Sequence, residues 1–286
     1  MFPSVKHCAA LAILIVCGTA AHAADWSDTS IGYRYGDKFA EPFGPNDIKK
    51  NIFNLTHVSG YKYGTNFFNV DMLLSDSKDP AGAGSTNGAQ EVYVVYRHTL
   101  DLEKVSGKSF KFGPIRGAGL TAGFDFNTKS DAGYNSKKRM IVAGPTLMVD
   151  VPGFLNVSLL QLWESNAPYN TFTNTSTPRY RYKPHPMLNL AWGIPLSKDS
   201  PLSFEGFANF IASKGKDEFG GNTAAETNVD MQIMYDMSGL LSAKPSSFKV
   251  GLEYQYWKNK FGNDSNGPAG DGAFAKTPMI RAEYHF

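Results

Sequence analysis

Ten residues could act together on a small solute: Phe67, Asp71, Tyr93, Arg97, Asp125, Glu205, Phe207, Asp230, Glu253 and Trp257. They fall on the inward phase of segments that alternate with a period of two, so they would share one side of a folded sheet. A flat ring beside a carboxylate suits a planar, polar solute, which stacks on the ring and donates its hydroxyls to the acid. The same residues have a plainer use, since rings fill space in a narrow interior and charges pair across strands. Covalent chemistry finds little support. The histidines beyond the N-terminal segment are His57, His98, His185 and His285, and no Gly-x-Ser-x-Gly stands near any of them. His98 has only Thr99 and Thr56 as nearby hydroxyls and falls on the apolar phase, so a hydrolase is the weaker reading. No catalytic residue, metal or cofactor is expected.

Strands are the elements that would position such residues. In Ala118 to Thr128, Ala118, Leu120, Ala122, Phe124 and Phe126 oppose Gly119, Thr121, Gly123, Asp125 and Asn127. One face is apolar and the other polar, as a half-buried strand requires. Segments from Glu91, Glu226 and Phe248 repeat the pattern. Twelve such segments begin near Ser27, Asn51, Asn66, Gln90, Arg116, Lys138, Phe154, Lys183, Pro201, Ala225, Phe248 and Phe274. The phase of the second is ambiguous. Each runs ~10–13 residues, close to the ~9–11 of a membrane-spanning strand. Long polar connections (36–50, 75–89, 129–137, 165–182, 214–224 and 260–273) alternate with mostly shorter ones. Long loops at one end and short turns at the other, with an even strand count, are the layout of an antiparallel outer-membrane barrel.

The chain's 286 residues carry 28 basic and 26 acidic side chains, a net charge of +2 that disfavours a nucleic-acid polymer as partner. The 28 Gly and 13% aromatic content suit many short strands and tight turns. Residues 1–23 have the three parts of a secretory signal peptide: a basic start, the apolar run Cys8 to Cys17, and Ala21-His22-Ala23 as cleavage site. Its removal would leave a barrel over residues 24–286 with no cysteine, hence no thiol nucleophile, thiolate metal site or disulfide. No later stretch is apolar enough for a membrane helix. The expected location is the outer membrane of a Gram-negative bacterium.

With the apolar face toward lipid, the inward acids are Asp71, Glu91, Asp101, Asp125, Asp150, Glu164, Glu205, Glu226, Asp230, Asp236, Glu253 and Glu283. The inward bases are fewer: Arg34, Arg97, Lys138, Lys249 and Arg281. Such a lumen would disfavour anions. Trp163, Trp192 and Tyr256 face outward and suit interfacial girdles.

The chain ends Ile280-Arg-Ala-Glu-Tyr-His-Phe286, with Ile280, Ala282, Tyr284 and Phe286 on one face. This resembles the last strand of outer-membrane barrels, whose terminal Phe the assembly machinery reads. The stretches Lys50–Asp71 (KNIFNLTHVSGYKYGTNFFNVD), Gln90–Leu102 (QEVYVVYRHTLDL), Lys108–Pro114 (KSFKFGP), Val151–Leu160 (VPGFLNVSLL), Glu253–Asn263 (EYQYWKNKFGN) and the final EYHF resemble the nucleoside-specific channel-forming Tsx family, including its OmpK-like members. The resemblance covers nearly all of the chain beyond residue 23, and GYKYGTNFFNVD is its most specific part. It implies a twelve-stranded monomeric barrel with a narrow channel for nucleosides. The expected function is diffusion of nucleosides or similar planar solutes. A general small porin and a surface barrel exploited by phages are the alternatives.

Overall fold

The computed structural model describes residues 24–170, 175–198 and 200–286. The signal-peptide reading of residues 1–23 lies outside the described residues. Twelve long strands form the wall. The first six are β1 (Trp26–Phe39), β2 (Ile48–Tyr61), β3 (Gly64–Ser75), β4 (Gln90–Asp101), β5 (Ile115–Ser130) and β6 (Lys137–Val149). The rest are β7 (Phe154–Asn166), β8 (His185–Pro195), β9 (Leu202–Ile211), β10 (Glu226–Asp236), β11 (Phe248–Lys258) and β12 (Phe274–His285). Every strand pairs antiparallel with its sequence neighbours, and β12 returns to β1 with Ser30 opposite His285 and Arg34 opposite Arg281. The ring is closed, so no strand of the wall has a free edge.

Alternation decides the two faces. In β5 the odd residues Thr121, Asp125, Asn127 and Lys129 are buried inside, while Leu120 and Phe126 stand exposed outside. Around the ring the outer face carries Leu252, Ile141, Ile280 and Leu159, all more than half exposed. Trp163, Trp192 and Tyr256 share that outer phase. Phe286 follows Tyr284 there, with the two rings 6.2 Å apart.

The interior departs from the expected polar lining in two places. Phe39, Ile48, Ile52 and Met279 pack together inside near the long loops. Met140, Val142, Leu160, Leu162 and Met187 form a second dry cluster inside β6–β8. The first explains the ambiguous second segment: Ile48 and Ile52 point inward beside Lys50 and Asn54, so both phases of β2 carry apolar residues. The short-turn end holds one helical turn, α1 (Leu102–Ser106), which the alternation gives no reason to expect. Asp101 caps it, accepting from the Glu103 and Lys104 amides, and Gly107 closes it at φ 69°.

The long loops bond to one another around the whole mouth. Lys78 Nζ donates to Asp47 O at 3.0 Å, and backbone hydrogen bonds join Ala132 N to Pro80 O, Tyr169 N to Tyr134 O, Lys183 N to Lys214 O, Ala224 N to Gly262 O, and Phe43 N to Ala269 O. Each links one loop to the next, and the last returns from the sixth loop to the first.

Candidate functional site

All ten expected site residues lie on the inward face, and the structure brings some of them together. Tyr93, Arg97 and Asp125 form one knot. Arg97 Nη1 meets Asp125 Oδ1 at 2.5 Å, and Tyr93 Oη donates to Asp125 Oδ2 at 3.0 Å. Gly123, opposite Arg97, leaves the space for this: a Cβ there would sit 3.0 Å from Arg97 Cδ and 2.0 Å from the Tyr96 carbonyl. Asp71 and Glu253, from opposite sides of the β1 seam, meet through Arg34 at 2.5 and 3.1 Å. Arg281 adds a 2.8 Å contact to Glu253 and a shorter one to Glu283.

Asp230 belongs to this cluster too, its side chain hydrogen-bonded to Glu253, and the others stand apart. Glu205 accepts from Ser203 at 2.6 Å and lies 3.4 Å from Lys249. Asp230 also accepts from Gln255 at 3.2 Å. Phe207 faces inward opposite Asp230. Phe67, opposite Arg97, lies near the short-turn end. Trp257 lies near the long loops, donating from Nε1 to Glu226 at 2.6 Å, with Phe261 edge-on at 4.9 Å and Lys260 over its ring.

The expected excess of interior acid is narrowed but not removed: four lysines that the strand phase did not assign enter the lining, and Glu41 and Asp79 enter with them. Lys50 comes from β2 and Lys129 from the end of β5, while Lys214 and Lys260 come from loops. Residues 40–47 turn inward, so Glu41 reaches Lys50 Nζ at 2.7 Å, Lys260 Nζ at 3.1 Å and Lys129 Nζ at 3.5 Å. Lys129 also meets Asp79 at 3.0 Å, and Asn127 donates to Glu91 at 2.6 Å. Burial opposes charge on Glu41, but the ammonium groups of Lys260, Lys50 and Lys129 outweigh it and hold the carboxyl well below its ordinary range. Lys214 pairs with Glu164 at 2.7 Å under the β8 end. Farther out, the Tyr134 and Tyr182 hydroxyls both donate to Glu218; burial and that carboxylate keep both phenols neutral.

A row of uncharged polar groups was not anticipated. Thr99 bonds Thr121 at 2.8 Å, Thr121 bonds Thr146 at 2.5 Å, and Thr146 bonds Ser158 at 2.8 Å. Strand register continues it through Asn189, Asn209 and Asn228 to Trp257, with Asn189 donating to Asn209 at 2.7 Å. The row climbs from the short-turn end of β4 to the long-loop end of β11. Thr121, Thr146 and Ser158 are buried, whereas Thr99 and the three asparagines are partly exposed. Among the described residues, none donates a hydrogen bond to the buried Asn228 Oδ1. These residues are scattered from 99 to 257, and only strand register joins them.

The histidines do not assemble a hydrolytic set with the expected hydroxyls. His98 pairs on the outer face with Tyr61 and Asn66, at 3.3 and 3.1 Å. His57 meets Thr29 at 2.8 Å, and His285 meets Asp28 at 2.7 Å.

No family model matches the chain, and no curated protein matches it by sequence. Solved structures match its shape. The COG4313 outer membrane channel from Pseudomonas putida F1 is 11% identical, with 91% of this chain and 95% of that one covered and a TM-score of 0.50. The KdgM porin is 9% identical (90% and 99% covered, TM-score 0.40). The translocator domain of the autotransporter NalP from Neisseria meningitidis is 14% identical (97% and 94% covered, TM-score 0.42). At these identities the likeness is one of fold.

Proposed function

We propose that the chain is an outer-membrane channel for small, neutral, polar solutes with a planar part, of which nucleosides are the class favoured. A closed antiparallel ring with an apolar outer face and long loops at one end suits a bilayer, where every backbone group must be satisfied within the wall. The similarly folded channel of Pseudomonas putida supports the same setting. The observation that carries the choice of solute is the contrast inside. The charges largely neutralise each other in pairs, while the amides of Asn189, Asn209 and Asn228 remain partly open and lead to Trp257. Amides donate to and accept from sugar hydroxyls, and an indole beside them offers a stacking face. The resemblance of GYKYGTNFFNVD and the other stretches to the Tsx family supports nucleosides in particular, and a monomer.

The test is conductance of the purified protein in planar bilayers. Nucleosides should block the current at lower concentration than sugars or amino acids of similar size. Trp257→Ala should weaken that block by about 1–3 kcal/mol, the worth of one stacked base. Asn209→Leu should weaken block by sugar-bearing nucleosides more than by free bases. Equal passage of all three solute classes would leave a general porin instead.

A further inference from the structure

The outer wall changes character near the long loops between β4 and β7. One cross-strand row runs through Val94, Phe126, Arg139 and Ser165 to Arg181, on a short strand (Tyr180–Arg181) that extends the sheet beside β7. Ser165 also accepts a 3.1 Å hydrogen bond from Arg179 Nη1. Ser165 therefore has Arg139 and Arg181 as its cross-strand neighbours on either side and Arg179 on its hydroxyl. Burial and the like charge of Arg139 lower the Arg179 pKa, which marks the two as close neighbours. Among the described residues, none of the three has a carboxylate within 4.0 Å. Glu164, adjacent in sequence to Ser165, points to the other face, where Lys214 takes it. Arg139 and Arg179 line an outward groove of about 570 Å³ together with Val94 and Phe126. One row farther from the loops, Ile141 and Trp163 stand opposite each other, 61% and 47% exposed.

We propose that this face binds a phosphorylated glycolipid of the outer leaflet, its phosphate held by Arg139, Arg179 and Arg181 and an acyl chain lying along Phe126 and Ile141. Like charges gathered without a counter-ion repel one another, and an anion relieves that repulsion. Guanidinium forks match phosphate oxygens in pairs, and an apolar wall directly beneath them takes the tail of an anionic amphiphile. Long loops mark the external end of bacterial barrels, so this row would lie at headgroup level in the leaflet whose glycolipid carries phosphate on an acylated sugar. The inference rests on the membrane reading above.

The full chain, folded in detergent, is titrated with bisphosphorylated lipid A, and bound lipid is counted by native mass spectrometry. The Arg139→Ala/Arg179→Ala/Arg181→Ala variant should bind on the order of a hundredfold more weakly, near fivefold per base. Lipid A stripped of phosphate should bind the unaltered protein as weakly as the intact lipid binds the variant, a comparison that needs no mutation. Heat-modifiable migration checks that the variant is folded. Undiminished binding by the variant, or binding of phosphatidylglycerol as tight as that of lipid A, overturns the site. Insertion into phosphatidylcholine bilayers is measured in parallel. A protein that inserts but ignores the phosphates sinks this site alone, whereas one that never inserts sinks the membrane reading and the site with it.

Discussion

Arg34 shows how one side chain can close a seam. Its guanidinium spans from Asp71 on β3 to Glu253 on β11, crossing the line where the last strand meets the first. Glu253 is fully buried and also meets Arg281, while Asp71 keeps some contact with solvent. Arg34→Met should leave Asp71 without its cation and Glu253 with one of two. Losing one partner of a buried pair costs ~3–5 kcal/mol, and the partial exposure of Asp71 and the remaining Arg281 put this case at the low end. The urea midpoint for unfolding from lipid vesicles should fall accordingly. Adding Asp71→Asn should recover part of the loss, and an unchanged midpoint in the single variant would show that the pair holds nothing together.

Among the strands, the outer face allows the sharpest test of the setting. Leu252 lies mid-strand in β11 and is 70% exposed. On a surface in water, Leu252→Arg would change stability little. At the middle of a bilayer the same change costs about 2–4 kcal/mol, so vesicle-based unfolding should show a loss of that size. The strands were legible in the sequence because one phase of most segments is almost wholly apolar; β5 is the plainest case. Where the interior itself is apolar the signal fails, as with Ile48 and Ile52 in β2. The inward phase of the ten candidate residues follows from alternation, but their partners do not. Glu41, Lys214 and Lys260 arrive from loops, which have no periodicity to read. The row from Thr99 to Asn228 consists of ordinary polar residues whose meeting depends on seven strands pairing in register.

At the scale of the whole molecule, closure of the wall and closure of the mouth are separate events. The wall closes through backbone pairing of β1 with β12. The mouth closes through loop-to-loop bonds and through Glu41, which ties the first loop to Lys50 and Lys129 on the wall and to Lys260 in the sixth loop. The folded pKa of Glu41 is depressed, so its contribution is complete above the unfolded value of about 4.3 and is lost as pH falls through the lower folded value. Protease cleavage within residues 40–47 should therefore stay constant from neutral pH down to the ordinary carboxylate range and rise only below it. Glu41→Gln should expose the same segment at neutral pH, and equal protection in that variant would remove Glu41 from the account.

The circuit of bonds from one loop to the next also decides what another molecule would encounter at that end of the barrel. Its recognisable surface is composed of neighbouring pieces from different loops, such as Phe43 beside Ala269 and Pro80 beside Ala132. An antibody or a phage tail fitted to it would read a discontinuous epitope. Synthetic peptides copied from single loops would be poor mimics, and sequence drift in one loop would alter the shape presented by the next.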